Sequence, residues 1–301
     1  MKKIAVIIVT YNSERHIYEC LESVFKYNDI DDSLEVIVVD NCSKDYETMA
    51  AQINDMYGER VKVLHNTKNG GYGQGNNVGI RVASAPVIMI MNPDVRLCEP
   101  VFSKVWDSFE HNPKIVMYGL TQRNANGQIG RSTSWTSRIH PYIAEPLRYL
   151  FGKWNLYLQH YMYICGACFF IRKESFEIAG LFDEGIFMYN EEDDIHGRLM
   201  KDSNALIIYD KSLSYIHLHP SVSDYGKEDY EWLKKSLKSA LYLARRDGIS
   251  IEKTINWSIK RTNISIWGEY LKVLWGRCDR KRLAYYKGWR EYLKKYKNDQ
   301  L

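Results

Sequence analysis

Short apolar runs separated by amphipathic stretches open this chain, and their alternation predicts its fold class. Residues 4–9, 34–39, 61–64 and 85–91 are apolar runs bounded by punctuating polar residues, the pattern of buried strands. Residues 13–26 carry a helical pattern that opens on Ser13, a residue suited to an N-cap. A second helical pattern covers residues 45–57. A third follows a glycine-rich loop at residues 69–74, starts near Gly75 or Asn76 and reaches Ala83. Strands alternating with helices imply βαβ units, an α/β fold and a mostly parallel sheet. Right-handed crossovers then bring the C-terminal ends of these strands to one sheet edge.

From residue 115 onward the pattern is less regular. Residues 124–134 are polar and glycine-containing, the composition of a mobile loop. Residues 163–172 read as a strand, residues 189–201 as a helix with a heavily acidic first turn, and residues 206–209 as a strand leading to His217-Leu218-His219-Pro220. From residue 227 the pattern is helical, with no internal repeat. The expected organisation is an α/β body over residues 1–225, with halves 1–115 and 116–225, followed by a helical extension over residues 226–301.

Three of the four early strands end in polar residues: Thr10-Tyr11-Asn12, Asp40-Asn41 and Asn92-Pro93-Asp94. Turn chemistry accounts for any one of these endings. Three together build a polar rim where open α/β sheets bind ligands. Asp94 is placed as an oxygen ligand for a divalent metal that meets a diphosphate. Asp40 reads either as an acceptor for a nucleotide base or ribose, or as the N-cap of the next helix. The segment from Asn69 to Asn77 is glycine-dense, which lets backbone N–H groups approach an anion near a helix N-terminus. Its spacing misses G-x-G-x-x-G, whose third glycine falls on Asn76, and no G-x-x-x-x-G-K-[ST] is present. A dinucleotide-dependent dehydrogenase and a P-loop NTPase are thereby disfavoured.

Glu191-Glu192-Asp193-Asp194 opens the late helix. A helix N-terminus favours acids, but four in a row exceed what the macrodipole needs. Mutual repulsion raises at least one of their pKa values, which suits a general base. His217 and His219 flank one turn and are candidates for contact with a metal or a diphosphate. Cys165-Gly166-Ala167-Cys168 matches C-x-x-C, but it lacks a second cysteine pair and falls inside a strand-like run, so it reads as structural.

Composition narrows the class further. With 301 residues, 45% hydrophobic and 26% charged, the chain has the make-up of an ordinary globular protein. No apolar run approaches the roughly 18 residues of a spanning helix. Met1-Lys2-Lys3 and the following apolar run mimic a signal peptide, yet the run stops at Thr10 without a small-residue cleavage site. A cytoplasmic chain with six reduced cysteines is therefore expected. Charge is uneven: residues 251–301 hold 13 Lys and Arg against 5 Asp and Glu, while residues 1–250 hold 28 against 32.

In order and spacing these segments resemble the inverting glycosyltransferases of family 2, and within that family the bacterial rhamnosyltransferase-type members that build surface polysaccharides. The resemblance covers residues 4–224. It rests on Val9-Thr10-Tyr11-Asn12, Val38-Val39-Asp40-Asn41, Asn69 through Gly73 to Asn77, and Met91-Asn92-Pro93-Asp94. It continues through Gly166-Ala167 before Ile171-Arg172-Lys173, Gly180-Leu181-Phe182-Asp183-Glu184, and Phe187-Met188-Tyr189-Asn190-Glu191-Glu192-Asp193-Asp194. It implies the GT-A fold of nucleotide-diphospho-sugar transferases, with a nucleotide-sugar-binding half at 1–115 and an acceptor half at 116–225.

It also implies roles. Thr10, Tyr11 and Asp40 would hold base and ribose, with Asn12 beside them, and Asn69, Gly71 and Asn77 would line the donor site. Asp94 matches the last carboxylate of the D-x-D motif that binds Mg²⁺ or Mn²⁺ against the diphosphate. Asn92 stands where that motif has its first carboxylate, a departure that leaves one carboxylate for the metal. His217 or His219 matches a late histidine of the same site. Glu192 occupies the position of the catalytic base, where the subgroup usually has Asp, and Asp193 competes with it while Glu191 precedes both.

The implied donor is a UDP- or dTDP-linked sugar, a hexose or deoxyhexose, and the acceptor a glycan or lipid-linked hydroxyl. The basic, aromatic helices of the extension suit an anionic membrane surface at the cytoplasmic face. Packing on the catalytic body or in a homodimer is the alternative, and nothing else points to nucleic acid. The competing functions are a non-catalytic nucleotide-sugar or glycan-binding module and a nucleotidyltransferase. The latter needs a basic glycine-rich motif after the first strand, where Thr10-Tyr11-Asn12-Ser13-Glu14 stands.

Overall fold

The computed structural model describes residues 1–300 apart from 141, 145–146, 148–150, 152–153, 219–229 and 274–278. The first part of the chain runs β1 (Ile4–Thr10), α1 (Glu14–Lys26), β2 (Leu34–Asp40), α2 (Tyr46–Tyr57), β3 (Lys62–His65), α3 (Tyr72–Val82) and β4 (Val87–Met91). It continues with β5 (Val95–Leu97), α4 (Phe102–His111), β6 (Ile115–Asn124), β7 (Thr133–Trp135), β8 (Met162–Ile164) and β9 (Cys168–Arg172). Then come α5 (Lys173–Ile178), α6 (Glu191–Leu199), β10 (Leu206–His217), α7 (Glu231–Arg246), α8 (Ile251–Val273) and α9 (Arg280–Gln300).

One sheet has the order β3-β2-β1-β4-β9-β6-β10-β5, and β7 pairs with β8 in a separate ribbon. β3, β2, β1 and β4 are mutually parallel, so their C-terminal ends share one edge as expected. β9 inserts antiparallel between β4 and β6, β10 runs parallel to β6, and β5 closes the far edge antiparallel to β10. Both faces of the sheet are covered, which is why its central strands are apolar throughout. Ile4, Val6 and Ile8 of β1 pack in one cluster with Ile17, Leu21, Met49, Phe102 and Phe109. Ala5 and Ile7 pack in the other, with Ile80, Phe176, Ile195 and Leu199. The period-2 alternation of a strand thus assigns β1 to two cores, in a helix–sheet–helix layering.

Four local expectations are corrected. α3 begins at Tyr72, because its glycines serve close packing: a Cβ on Gly75 would lie 2.7 Å from Val9 Cγ1, and one on Gly79 2.6 Å from Ile7 Cγ2. Residues 163–172 form two strands in different sheets, broken at residues 165–167. The strand from Leu206 extends to His217 across a bulge between Asp210 and Ser214. Residues 124–130 form a hydrogen-bonded turn, with Asn124 N donating to Gln128 O, Gly127 N to Asn124 O and Gly130 N to Gln122 O, each at 2.8 Å. Its backbone groups are paired locally, so the polar composition here marks a closed turn.

By contacts the chain divides into two compact units. The first holds residues 1–136, 155–187 and 191–219, and the second holds residues 137–154, 188–190 and 220–301. The second unit has its own core, in which Leu237 and Leu241 of α7 meet Ile255 of α8 and Trp289 and Leu293 of α9. Among the described residues, no helix is long and apolar enough to cross a membrane.

Candidate functional site

Strand register places Thr10, Asp40 and His65 level with one another at the C-terminal edge. Asp40 is fully buried. Its Oδ2 accepts from Cys42 N and Ser43 N at 3.1 Å and faces His65 Nδ1 at 2.9 Å. Its Oδ1 has no hydrogen-bond partner among the described residues, and neither has Thr10 Oγ1. Buried polar atoms are almost always paired, so these two leave hydrogen-bonding capacity open at one strand edge. His65 stacks on Tyr46 with ring centroids 4.0 Å apart. The sequence reading ended this strand at Leu64; one residue further, it too ends in a polar group. Tyr11 is exposed at the rim, and Asn12, with φ 49, is tied to the neighbouring loop by Ser43 Oγ and Lys44 N.

The glycine-rich loop is braced by amides. Asn41 Nδ2 donates to Asn69 Oδ1 (3.1 Å) and to Gly71 O (2.9 Å), and Asn69 Oδ1 also accepts from Gly71 N (2.9 Å). Gly71 has φ 91, and a Cβ there would stand 2.1 Å from Phe187 O, so the position admits glycine alone. Asn77 lies buried in α3, where its Nδ2 donates to Phe182 O and Glu184 Oε1 and its Oδ1 accepts from Phe182 N. Both ends of that amide hold the 182–184 loop.

The turn after β4 brings Asp94 to β10. Asn92 N donates to Ala167 O (2.9 Å), Leu218 N donates to Asp94 O (2.9 Å), and Val95 pairs with His217. Asp94 Oδ2 and His217 Nε2 consequently stand 3.3 Å apart. His219 lies outside the described residues. Among the described residues, no three His, Cys, Asp or Glu side chains cluster as a metal cage.

The acidic run divides by contact. Glu191 is buried. Asp194 takes Arg198, whose Nε and Nη2 donate to Oδ2 at 3.0 and 2.7 Å. Asp193 is half-buried. Glu192 Oε1 accepts from Gly166 N at 3.0 Å. Burial pushes the Glu192 carboxyl above its ordinary range; backbone N–H groups of Glu192 and Gly166 pull it back, Asp193 adds to the rise and Arg131 opposes it. Cys165 and Cys168 are free thiols, and burial pushes Cys165 to about 11, which keeps it protonated at neutral pH.

Residues 165–167 therefore have a role that spacing did not reveal. Ala167 O holds the Asn92 turn, Gly166 N holds Glu192, and Gly166 O accepts from Tyr72 OH at 2.6 Å. Three segments distant in sequence meet on two consecutive residues, Gly166 and Ala167. A glycine beside a strand end was the available signal, since at Gly166 a Cβ would lie 2.1 Å from Glu192 Oε1.

Residues 5–178 match the family described as Glycosyl transferase family 2. Glycosyltransferase GlyG of Streptococcus pneumoniae is 29% identical over 116 residues, 38% of this chain and 38% of that protein. Poly(ribitol-phosphate) beta-N-acetylglucosaminyltransferase TarS of Staphylococcus aureus is 34% identical over 97 residues, 31% of this chain and 16% of TarS. Uncharacterized glycosyltransferase EpsJ of Bacillus subtilis is 24% identical over 228 residues, 72% of this chain and 62% of EpsJ. The chain thus spans less than two thirds of the length of each of these relatives.

Two solved structures share the fold. One is a mannosyltransferase, PcManGT from Pyrobaculum calidifontis in complex with GDP-Man and Mn²⁺, with TM-score 0.56 at 14% identity over 97% of this chain and 70% of that one. The other is S. aureus TarS, with TM-score 0.53 at 18% identity over 87% of this chain and 43% of that one. The mostly parallel sheet flanked by helices is accordingly GT-A-like. With the family match running over more than half of its residues, the chain belongs to glycosyl transferase family 2.

Proposed function

We propose that the chain is an inverting, metal-dependent glycosyltransferase that moves a hexose or deoxyhexose from a nucleoside-diphosphate sugar to a hydroxyl of a glycan or lipid-linked acceptor in surface-polysaccharide synthesis. The Asp94–His217 pair, 3.3 Å apart on the polar edge of the sheet, carries this reading. Mg²⁺ and Mn²⁺ sites of this class use one or two protein ligands and complete their shell with water and phosphate oxygens. One carboxylate and one imidazole fit that donor set, and a three-residue cage is not required. The chemistry supplied by the bound ion is neutralisation of charge on the departing diphosphate. The Mn²⁺ and GDP-Man held by the Pyrobaculum mannosyltransferase support a metal-assisted donor site.

In this reading Asp40 Oδ1 and Thr10 Oγ1 take the base and ribose of a UDP- or dTDP-linked donor, with Tyr11 and Asn12 at the rim. Asn69 and Gly71 shape the loop along the donor, Asn92 sets the turn, and Asn77 holds the 182–184 loop behind it. Glu192 removes the proton of the acceptor hydroxyl, a role suited by its raised pKa. The acceptor oxygen attacks the anomeric carbon from the face opposite the diphosphate, the carbon–oxygen bond to the diphosphate breaks, and the nucleoside diphosphate leaves with the electron pair. Asp193 is the competing base, and activities of Glu192→Gln and Asp193→Asn separate the two. Exposed Trp267, Tyr270 and Leu271 of α8 supply apolar groups for docking on a membrane that carries a lipid-linked acceptor.

The reading is tested by thermal unfolding with UDP, dTDP and GDP, each with Mn²⁺ or with chelator. At least one nucleotide is expected to stabilise the chain, and chelator or Asp94→Asn should remove most of that gain. Asn92→Ala is expected only to weaken it. Stabilisation indifferent to chelator would overturn the metal role.

A further inference from the structure

Tyr72 and Glu192 both bind Gly166, on the two peptides that meet at its Cα. The Tyr72 hydroxyl donates to Gly166 O at 2.6 Å, and Gly166 N donates to Glu192 Oε1 at 3.0 Å. Tyr72 is itself fixed twice: its backbone N donates to Phe187 O at 3.0 Å, and its ring meets Phe182 edge-on at 5.7 Å. Burial first, and then the nearby carboxylates of Glu192 and Glu191, push the phenol far above its ordinary range. It therefore remains a proton donor at neutral pH, as donation to a carbonyl requires.

We propose that Tyr72 is a positioning residue for the base: its hydroxyl pins the Gly166 carbonyl and, through the Gly166 Cα, the adjoining peptide whose N–H holds the Glu192 carboxylate in the site. This rests on the reading of Glu192 as the base. The two peptides meet at the Gly166 Cα, and a glycine has the widest choice of φ and ψ, so pinning its carbonyl removes freedom from its N–H. The first residue of the helix after the glycine-rich loop thereby sets the carboxylate that receives the acceptor's proton. Donor loop and base are mechanically joined.

Other groups act on the same carboxylate. Asp193 and Glu191 lie on its own helix, Arg131 and Tyr163 approach from the segment around the β7–β8 ribbon, and Cys165 flanks Gly166. None of them is altered by Tyr72→Phe, which deletes one hydroxyl and keeps the ring on Phe182.

The test reads Glu192 without any substrate. In protein labelled with carbon-13 at glutamate carboxyls, the Glu192 signal is identified by its loss in Glu192→Gln and followed through a pH titration. Tyr72→Phe is expected to raise its midpoint by about 0.2–0.5 of a pH unit, the size of a partial loss of one charge-assisted hydrogen bond. Gly166→Ala, whose Cβ would lie 2.1 Å from Glu192 Oε1, should raise it at least as far. Tyr118→Phe, which loses a comparable tyrosine-to-carboxylate bond at Asp210, should leave it unmoved. A Glu192 midpoint unchanged in Tyr72→Phe overturns the proposal, as does an equal shift in Tyr118→Phe. Transfer retained by Glu192→Gln would instead overturn the base assignment, and the titration does not depend on it.

Discussion

Glu192 is held in a state that works against the stability of the chain. Burial raises its folded pKa above the unfolded value of about 4.3. A carboxyl with a raised folded pKa contributes stability below the unfolded value and loses that contribution as pH rises through the folded one. Glutamine keeps the shape and the oxygen that Gly166 N–H addresses, and never ionises. Glu192→Gln is therefore expected to melt higher than the parent chain at pH 8, by on the order of 2 °C per kcal/mol recovered, with the two converging near pH 4. Calorimetry at both pH values checks this; a lower melting point for the glutamine variant at pH 8 would sink it. Such a gain is the stability that the proposed role of Glu192 would cost the chain. At this scale charge singled out Asp94 and Glu192 in the sequence, and the structure sets the first beside His217 and the second on Gly166 N. Tyr72 and Gly166 were not legible, because their roles exist only through a contact between positions 94 residues apart.

β10 shows how one element sets a site it only touches at its end. Its bulge between Asp210 and Ser214 resets the register, so that His217 reaches Val95 beside Asp94. The bulge is pinned by Asp210, whose Oδ1 accepts from Ser212 N (2.8 Å) and Ser212 Oγ (2.6 Å) while Oδ2 takes Tyr118 OH (2.6 Å) and Lys104 Nζ (2.7 Å). Burial alone would raise this carboxyl, but Lys104, Ser212 and Tyr118 outweigh it and hold it well below the usual range. The sign is opposite to that of Glu192: its contribution is present above the unfolded value of about 3.9 and is lost as pH falls. Asp210→Asn is expected to cost about 1–3 kcal/mol at pH 7 by urea unfolding, and much less at the acid end. It should also weaken metal-dependent nucleotide binding. A loss as large at pH 2 as at pH 7 would place the effect elsewhere. The polar run Asp210-Lys211-Ser212 interrupts the alternation a strand needs, which hid the second half of β10 from the sequence. The paired early strands were legible for the converse reason, since burial on both faces leaves them unbroken and apolar.

For the whole molecule, the sequence carried the α/β body through its period and the helical extension through its charge. It did not reveal which tail aromatics are interior. Tyr285 and Trp289 lie 7% and 5% exposed in the core of the second unit, whereas Trp267 is 69% exposed. Composition assigns all three to one class, and only packing separates them. The insertion of β9 between β4 and β6 was equally invisible, because an antiparallel strand supplied from 77 residues beyond Met91 leaves no local signature.

That insertion also orders the making of the protein in time. β4 leaves the ribosome long before its partner β9 exists, and at roughly 5–20 residues per second the interval is roughly 4–15 s. Throughout it, the row of backbone groups along Val87–Met91 that will bond β9 is an open strand edge. A fragment ending at residue 160 makes this interval permanent, and it is expected to sediment as a β-rich aggregate at micromolar concentration. A soluble monomer by analytical ultracentrifugation would contradict that. The nascent chain must be shielded from its neighbours until residue 172 has emerged, and Asp94 waits longer still, until His217 is made.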